Sequence, residues 1–347
     1  MHSQNELATI ADSTQSGALP DMLTATFSLV IPVYMNEGSI PDLLRAIAAL
    51  ADGMRQRWGI ALEAVFVVDG SPDQSFAMLS ERLPHVGFKS QLHLHARNFG
   101  SFAAIRTGLG VGEGQFFGVM AADLQEPPEL MLKFAELLQA DHCDVAVGVR
   151  SSRADPWRSK LASTIFWRLY RRFVLPEMPF NGVDVFACSR TFRDHLMALE
   201  EAHSSLVGLV YWLGFRRAEV PYERRAREHG KSGWTFKKKV KYLMDSVFSF
   251  TDLPIRMLTV FGMLGLFISI PLAIGVIVAR VSGLIAVPGY AATMVAVAFF
   301  GAINALGLGV IGSYAWRTYE NTKSRPLSLV RLSSRFGVPA ASRAVDR

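Results

Sequence analysis

Two long apolar runs near the C-terminus form the clearest pattern in the chain. Residues 257–279 and residues 281–316 contain no Asp, Glu, Lys or Arg. An α-helix rises ~1.5 Å per residue, so about 20 residues cross the ~30 Å hydrocarbon core of a bilayer. The second run also contains a turn at 287–289. Buried core helices are the alternative, but adjacent charge-free runs of this length favour a two-helix membrane hairpin over residues 255–316.

Basic residues flank the two runs on their outer sides, and only Arg280 lies between them. They are Lys237, Lys238, Lys239, Lys241 and Arg256 before the first run, and Arg317, Lys323, Arg325 and Arg331 after the second. Positive charge stays on the cytoplasmic side of a membrane. We therefore expect a multi-pass protein of the inner (cytoplasmic) membrane, with the region before the hairpin and a tail over residues 317–347 both in the cytoplasm.

The segment before the first run is strongly basic and amphipathic. Residues 216–241 hold ten Lys or Arg against three Glu, a net charge of +7, whereas the whole chain carries +6. Nucleic acid is one partner for such a segment, but its continuation into an apolar run favours an anionic membrane surface. Apolar residues recur at helical spacing over residues 236–250, which predicts an interfacial helix within residues 236–254. Residues 157–173 have similar spacing, and for them an interfacial helix and a helix packed on a sheet remain equal alternatives.

The N-terminus and the cysteines indicate a reducing compartment. Residues 1–25 are polar and lack the apolar stretch of a signal peptide, so we expect a disordered leader. Cys143 and Cys188 are too few for a disulfide framework and do not form a metal-ligand pair.

Residues 26–235 alternate between short apolar runs and helical patterns, which predicts an α/β domain with a doubly wound, mostly parallel sheet. The predicted strands are residues 27–34, 64–68, 91–95, 116–120 and 144–149. In such sheets the ligand binds beyond the carboxyl ends of the strands. Polar residues at these ends should therefore converge on one crevice: Asn36, Glu37, Asp69, Asp73, Arg97 and Asp123. His93 and His95 share one strand face and, without a third ligand, are predicted to be structural.

Four of these segments together resemble the signature of inverting family 2 glycosyltransferases. They are residues 30–37 (Val-Ile-Pro-Val-Tyr-Met-Asn-Glu), 68–73 (Val-Asp-Gly-Ser-Pro-Asp), 97–100 (Arg-Asn-Phe-Gly) and 122–129 (Ala-Asp-Leu-Gln-Glu-Pro-Pro-Glu). Residues 227–234 and the two apolar runs are similar to the branch of dolichol-phosphate-mannose-synthase-like enzymes and bactoprenol glucosyltransferases. The resemblance covers residues 27–330. It implies a nucleotide-binding GT-A-like fold and transfer of a sugar from a nucleotide diphosphate sugar to a polyprenyl (undecaprenyl) phosphate, with Mg²⁺ or Mn²⁺ and without nucleic acid. A homo-oligomer is left open.

The same resemblance implies roles for individual residues. Asp123 matches a catalytic, metal-binding carboxylate and Gln125 a second metal ligand. Asp184 matches a catalytic residue that orients the acceptor or acts as a base. The matching nucleotide-sugar-binding residues are Pro32, Tyr34, Glu37, Asp69 and Arg97, and those for the acceptor phosphate are Arg150, Arg158, Arg227 and Ser232. For Arg158, a solvated position on a helix is the alternative.

Three positions depart from the family pattern and support a rival function. Val68 and Ala121 stand where relatives carry Asp, and Phe186 stands where many carry Arg. Fewer carboxylates favour a catalytically weakened relative that binds nucleotide or lipid as a scaffold, whereas Asp69, Asp123, Gln125, Asp184 and the arginines oppose it. A small transporter or channel is disfavoured because neither apolar run carries an ionisable residue.

Overall fold

The structure is a computed structural model. It describes residues 25–151, 168, 171–172, 176–179, 183–201, 204–225, 236–283 and 289–337. Residues 1–24 of the predicted leader, Arg158, Arg227 and Ser232 lie outside these residues, as does most of the helix expected over residues 157–173, whereas Ala25 already belongs to the first strand.

Within the described residues, eight strands form one mixed sheet. They are β1 (Ala25–Val33), β2 (Ile60–Val68), β3 (Lys89–His95), β4 (Phe116–Val119), β5 (Val145–Arg150), β6 (Val183–Ser189), β7 (Arg217–Tyr222) and β8 (Val330–Phe336). Their order is β7-β5-β6-β4-β1-β2-β3-β8. The predicted parallel pairing holds for β4-β1-β2-β3 and for β5 with β7. The sheet is nevertheless mixed, because β6 runs antiparallel between β4 and β5 and β8 runs antiparallel along β3.

Helices cover both faces of the sheet, because successive strand residues point to opposite sides. The described helices of this domain are α1 (Ile40–Trp58), α2 (Ser75–Arg82), α3 (Ser101–Val111), α4 (Glu129–Gln139), α5 (Arg190–Ala198) and α6 (Leu206–Trp212). One core places Leu29 and Ile31 against α1, α2 and α4, and the other places Val30 against α3, α5 and α6. At Gly108 an added Cβ would lie 2.3 Å from a methyl carbon of Val30, so α3 approaches β1 closely.

In the described part of the chain, three further helices lie between β7 and β8: α7 (Phe236–Phe250), α8 (Leu253–Val281) and α9 (Tyr290–Thr322). Within the described residues, 299–322 of α9 are long and apolar enough to cross a membrane. The end of α7 and the first part of α8, bent by 76°, would make a second span if counted as one. The predicted two-helix hairpin therefore stays a prediction, and one span is supported by length and composition.

The ends of α7 and α9 are joined by polar and aromatic contacts. Arg317 of α9 donates to Asp245 of α7 at 2.9 Å, and its guanidinium lies 5.0 Å from the centre of the Phe248 ring. Phe248 in turn contacts the Tyr314 ring edge-on at 5.1 Å. These contacts hold the amphipathic helix α7 against the C-terminal part of the long apolar helix α9.

The chain beyond α9 returns to the sheet domain. Residues 317–347 were expected to form a tail, and part of that segment is β8, which pairs with β3 at the sheet edge. Arg335 of β8 forms an ion pair with Glu113 at 2.8 Å, and Ser333 lies 3.0 Å from Nδ1 of His93. The segment that follows the long helix is consequently held to the sheet domain by backbone pairing and by side-chain contacts.

Candidate active site

The predicted site residues that the structure describes lie at one edge of the sheet. β5 is parallel to β4 because both are antiparallel to β6, so the carboxyl ends of β1 to β5 and of β7 lie at the same edge. Asp69, Arg97, Asp123 and Arg150 follow or end such strands. β6 begins at this edge, with Val183 opposite Val149, which also places the backbone of Asp184 there. We call this edge the strand-end edge.

The loop after β1 is held to the loop after β2 by hydrogen bonds. Met35 has a φ of +55°, a left-handed conformation unusual for a residue with a side chain, and its N–H donates to Ser71 at 2.8 Å. Glu37 accepts from the N–H of Gln74 at 2.9 Å. Tyr34 remains 43% exposed beyond the half-buried Pro32. The loop therefore presents an aromatic ring and a carboxylate from a fixed backbone.

Asp73 organises this pair of loops. Its carboxylate accepts from the hydroxyls of Ser71 at 2.6 Å and Ser75 at 2.8 Å, and from the N–H of Glu37 at 3.1 Å. Burial raises the pKa of Asp73, but these hydrogen bonds outweigh it and the pKa lies below its ordinary value. The negatively charged Asp73 carboxylate therefore joins the loop after β1 to the loop after β2.

Asp69 is buried at the end of β2 and accepts three hydrogen bonds. His95 Nδ1 donates to Oδ1 at 2.8 Å, the N–H of Phe99 donates to Oδ1 at 2.9 Å, and the N–H of Gly100 donates to Oδ2 at 2.7 Å. Only 2% of Asp69 is exposed. The carboxylate thus holds the Arg97–Gly100 loop, which leads directly into α3.

Gly70 allows the two loops to pack this closely. Its φ is +58°, and an added Cβ would lie 2.3 Å from the carbonyl carbon of Arg97. Any other residue would push the two backbones apart. Above this contact, Arg97 stacks on the Phe99 ring with its guanidinium carbon 4.2 Å from the ring centre.

Asp123 and Gln125 lie in a tight loop after β4. Leu124 between them has a φ of +52°, and the N–H of Gln125 lies 3.3 Å from Oδ1 of Asp123. The side-chain oxygen of Gln125 accepts from Arg224 at 2.7 Å, and its backbone oxygen accepts from the N–H of Arg225 at 2.8 Å. The side-chain oxygen of Gln125, which is predicted to be a metal ligand, therefore accepts a hydrogen bond from the guanidinium of Arg224 in this structure.

Arg224 and Arg225 were missed as site residues by sequence reasoning. They follow β7 at the strand-end edge, and Arg225 also pairs with Glu129 at 3.3 Å. The sequence contains a signal for them, since both belong to the basic segment 216–241, but the charge of that segment predicts a membrane surface and the family resemblance places only Arg227 and Ser232 of it in the site. β7 pairs with β5 over its full length, with Tyr222 opposite Arg150, so the tertiary structure brings Arg224 and Arg150 to one side of the site.

A divalent cation fits this edge only if the substrate supplies part of its ligands. Within the described residues, no group of three His, Cys, Asp or Glu side chains could hold a metal. Asp123 is one carboxylate, and Ala121 offers no second. Mg²⁺ is commonly held by one or two carboxylates together with substrate phosphates and water. Asp123 fits that pattern.

Several known proteins and one protein family are similar to this chain. Residues 28–197 match the family described as glycosyl transferase family 2. An uncharacterized glycosyltransferase of Synechocystis sp. is 30% identical over 308 residues, covering 89% of this chain and 95% of that protein. The undecaprenyl-phosphate 4-deoxy-4-formamido-L-arabinose transferase of Edwardsiella ictaluri is 29% identical, covering 92% and 98%. Among solved structures, glucosyl-3-phosphoglycerate synthase from Mycobacterium tuberculosis with phosphoglyceric acid matches with a TM-score of 0.43 and 16% identity, covering 65% and 81%.

Proposed function

The chain belongs to glycosyltransferase family 2 and is a glycosyltransferase, and on this premise we propose that it transfers a sugar from a nucleotide diphosphate sugar to a polyprenyl (undecaprenyl) phosphate. The reaction inverts the configuration at the anomeric carbon of the sugar. The observation that carries the proposal is the strand-end edge, where Asp69 and Asp123 share one side of the sheet with a group of arginines. The relatives named as undecaprenyl-phosphate sugar transferases support the choice of acceptor.

The donor side of the site consists of Pro32, Tyr34, Glu37, Asp69 and Arg97. A carboxylate offers about four acceptor positions, and Asp69 uses three of them within the protein. The remaining position suits an N–H of a base or a ribose hydroxyl. Tyr34 supplies an exposed ring against which a base stacks, and Arg97 adds a cation for the diphosphate.

Asp123 would hold Mg²⁺ or Mn²⁺ together with the diphosphate. When bound, the ion neutralises the charge that develops on the leaving nucleotide. Gln125 can join as a ligand only after Arg224 leaves its side-chain oxygen, since both cations would otherwise compete for that atom. Arg224 is thus a further cation for the diphosphate or the acceptor phosphate.

The acceptor side needs cations more than a strong base, because a phosphate oxygen is already an anionic nucleophile. Arg150 lies at the end of β5 and is assigned to the acceptor phosphate together with Arg158, Arg227 and Ser232. Asp184 either orients the acceptor or accepts a proton from it. Its backbone position at the strand-end edge is compatible with both roles.

The acceptor lipid stays in the membrane, so the enzyme must meet it there. We assign α8 and α9 to a transmembrane hairpin, with α7 in the interface and the sheet domain on the cytoplasmic side. The large apolar side chains exposed on α8 and α9, such as Phe267 at 80%, support contact with lipid. The pairing of β8 with β3 supports a hairpin whose two ends lie on the same side of the membrane.

The decisive experiment uses the purified full-length protein in undecaprenyl-phosphate liposomes. Nucleotide sugars are screened for transfer of label to the lipid, with and without Mn²⁺. We expect one donor to give metal-dependent transfer that Asp123→Ala abolishes and that Asp52→Ala, an exposed carboxylate on α1, leaves intact. Absence of transfer from every donor would reject the proposal.

A nucleotide- or lipid-binding scaffold is the second candidate, because Ala121 stands where relatives carry the first Asp of the motif that ends at Asp123. The same protein distinguishes the two candidates. A scaffold would bind a nucleotide diphosphate or the lipid at micromolar concentrations and turn over none of the donors.

A further inference from the structure

A chain of hydrogen bonds leads from the segment after α9 to the proposed nucleotide site. Ser328 lies 2.8 Å from the hydroxyl of Thr107 on α3, and that hydroxyl lies 2.9 Å from Nε2 of His95. His95 Nδ1 in turn donates to Asp69 at 2.8 Å. The chain links residues more than 200 positions apart in sequence, and we call it the Ser328 relay.

The relay has one consistent direction with a neutral His95. An ionised Asp69 only accepts, so Nδ1 carries the proton and Nε2 accepts from the Thr107 hydroxyl. The Thr107 oxygen can then accept from Ser328. Each member thus fixes the orientation of the next, and His95 is held at both ring nitrogens while it lies almost completely buried.

Two contacts pass this constraint to the loop that carries Arg97. Asp69 accepts from the N–H groups of Phe99 and Gly100. The His95 ring also meets the Phe99 ring edge-on at 5.6 Å, and Arg97 stacks on Phe99. Loss of the His95 orientation would therefore loosen both the backbone and the ring on which Arg97 rests.

We propose that His95 is a positioning residue of the nucleotide site, and that the segment containing Ser328 completes this site through Thr107 and His95. The proposal rests on the proposed function for its consequence in donor binding. It assigns the segment following the long apolar helix a role in ordering the donor loop. His95, which sequence reasoning treated as structural, becomes the link between the two.

β8 provides a matched control. Ser333, on the same returning segment, contacts His93 at 3.0 Å and does not touch the relay within the described structure. Ser328→Ala and Ser333→Ala each remove one serine hydroxyl from one histidine-linked contact. Thr107→Val and His95→Leu break the relay further along, and His95→Asn retains a donor near the position of Nδ1.

The first measurement is hydrogen–deuterium exchange of the full-length protein without substrate, which does not depend on the proposed function. We expect Ser328→Ala and Thr107→Val to raise exchange of the peptide containing Phe99 and Gly100 by about three- to tenfold, the effect of one lost hydrogen bond. Ser333→Ala should leave it unchanged. Equal exchange in Ser328→Ala and Ser333→Ala would overturn the relay, even if the protein transfers no sugar.

The second measurement is steady-state transfer with the donor identified in the liposome screen. Ser328→Ala should raise the donor KM by about three- to tenfold with little change in kcat. His95→Leu should raise it further, and His95→Asn should restore part of the loss. A fall in kcat at unchanged KM, or no rescue by Asn, would overturn the positioning role. A failure of the proposed function is recognised separately, by the absence of transfer in the wild-type protein.

Discussion

Replacement of Asp69 by Asn tests whether this carboxylate organises the site. Asn has nearly the same shape but one acceptor oxygen and one NH₂ donor. If its oxygen takes the place of Oδ1, the NH₂ group faces the N–H of Gly100 at 2.7 Å; if it is turned, the NH₂ group faces the N–H of Phe99 at 2.9 Å. In either orientation a backbone donor loses its partner inside the protein.

The magnitude follows from these contacts. An unsatisfied buried donor costs about 1–3 kcal/mol, and loss of the charge weakens each remaining hydrogen bond by roughly 1 kcal/mol. The expected loss is therefore about 3–5 kcal/mol of unfolding free energy. For a domain of this size, 1 kcal/mol corresponds to about 2–4 °C in Tm, so Asp69→Asn should lower the Tm by roughly 10 °C.

The assay is thermal unfolding of the full-length protein in detergent at one scan rate. Asp42→Asn is the matched control, because the Asp42 side chain on the first turn of α1 is 38% exposed and pairs only with Arg45 within the described contacts. Surface pairs of this kind contribute little. If Asp69→Asn lowers the Tm no more than Asp42→Asn does, the three hydrogen bonds do not organise the loop and the reasoning is refuted.

Three further predictions concern the metal, the acceptor and pH. Asp123→Ala should abolish metal-dependent transfer at an unchanged Tm, and Ala121→Asp should lower the Mn²⁺ concentration that gives half-maximal rate. Unchanged Mn²⁺ dependence in Ala121→Asp would show that the missing carboxylate has no role. Arg150→Ala should reduce transfer to short and long polyprenyl phosphates alike. A variant with Lys237, Lys238, Lys239 and Lys241 changed to Gln should affect only the long acceptor, since each Lys near an anionic surface contributes about 1 kcal/mol. Equal loss with both acceptors would place these lysines in the active site. Burial, Arg335 and His95 lower the pKa of His93 from 6.5 to about 4. Between these pH values His93 is protonated in the unfolded chain but not in the folded protein. The Tm should therefore fall as the pH decreases from 6.5 to 4. His93→Gln should flatten that fall, and an identical pH profile in this variant would contradict the assignment.

Local patterns were sufficient for the central strands and for the loops that follow them. β1 and β2 are apolar runs ended by polar turns, and parallel pairing of β1, β2 and β3 brings their carboxyl ends to one edge. The positions of Asp69, Arg97 and Asp123 at the strand-end edge therefore follow from the order of residues along the chain. The glycosyltransferase family was identified from the same loops and is confirmed.

The antiparallel strands could not be predicted in the same way. β6 lies between β4 and β5, although it follows both in sequence, and β8 pairs with β3, from which it is separated by most of the chain. Such pairings join segments that lie far apart in the sequence, and they form through tertiary contacts. Nothing in the few residues of either strand specifies its partner.

Hydrophobic periodicity and turn residues determine local structure over a few positions. The apolar runs, the α/β domain and the residue types at its strand ends can therefore be predicted from the sequence by itself. The contacts between these residues come from the tertiary structure. Folding makes Asp69 a buried acceptor for the Arg97–Gly100 loop, brings Arg224 onto Gln125, and places Ser328 on Thr107 beside His95. Hydrogen bonds of this kind form between side chains that are neighbours only after distant strands have paired, which is why no local pattern contained them.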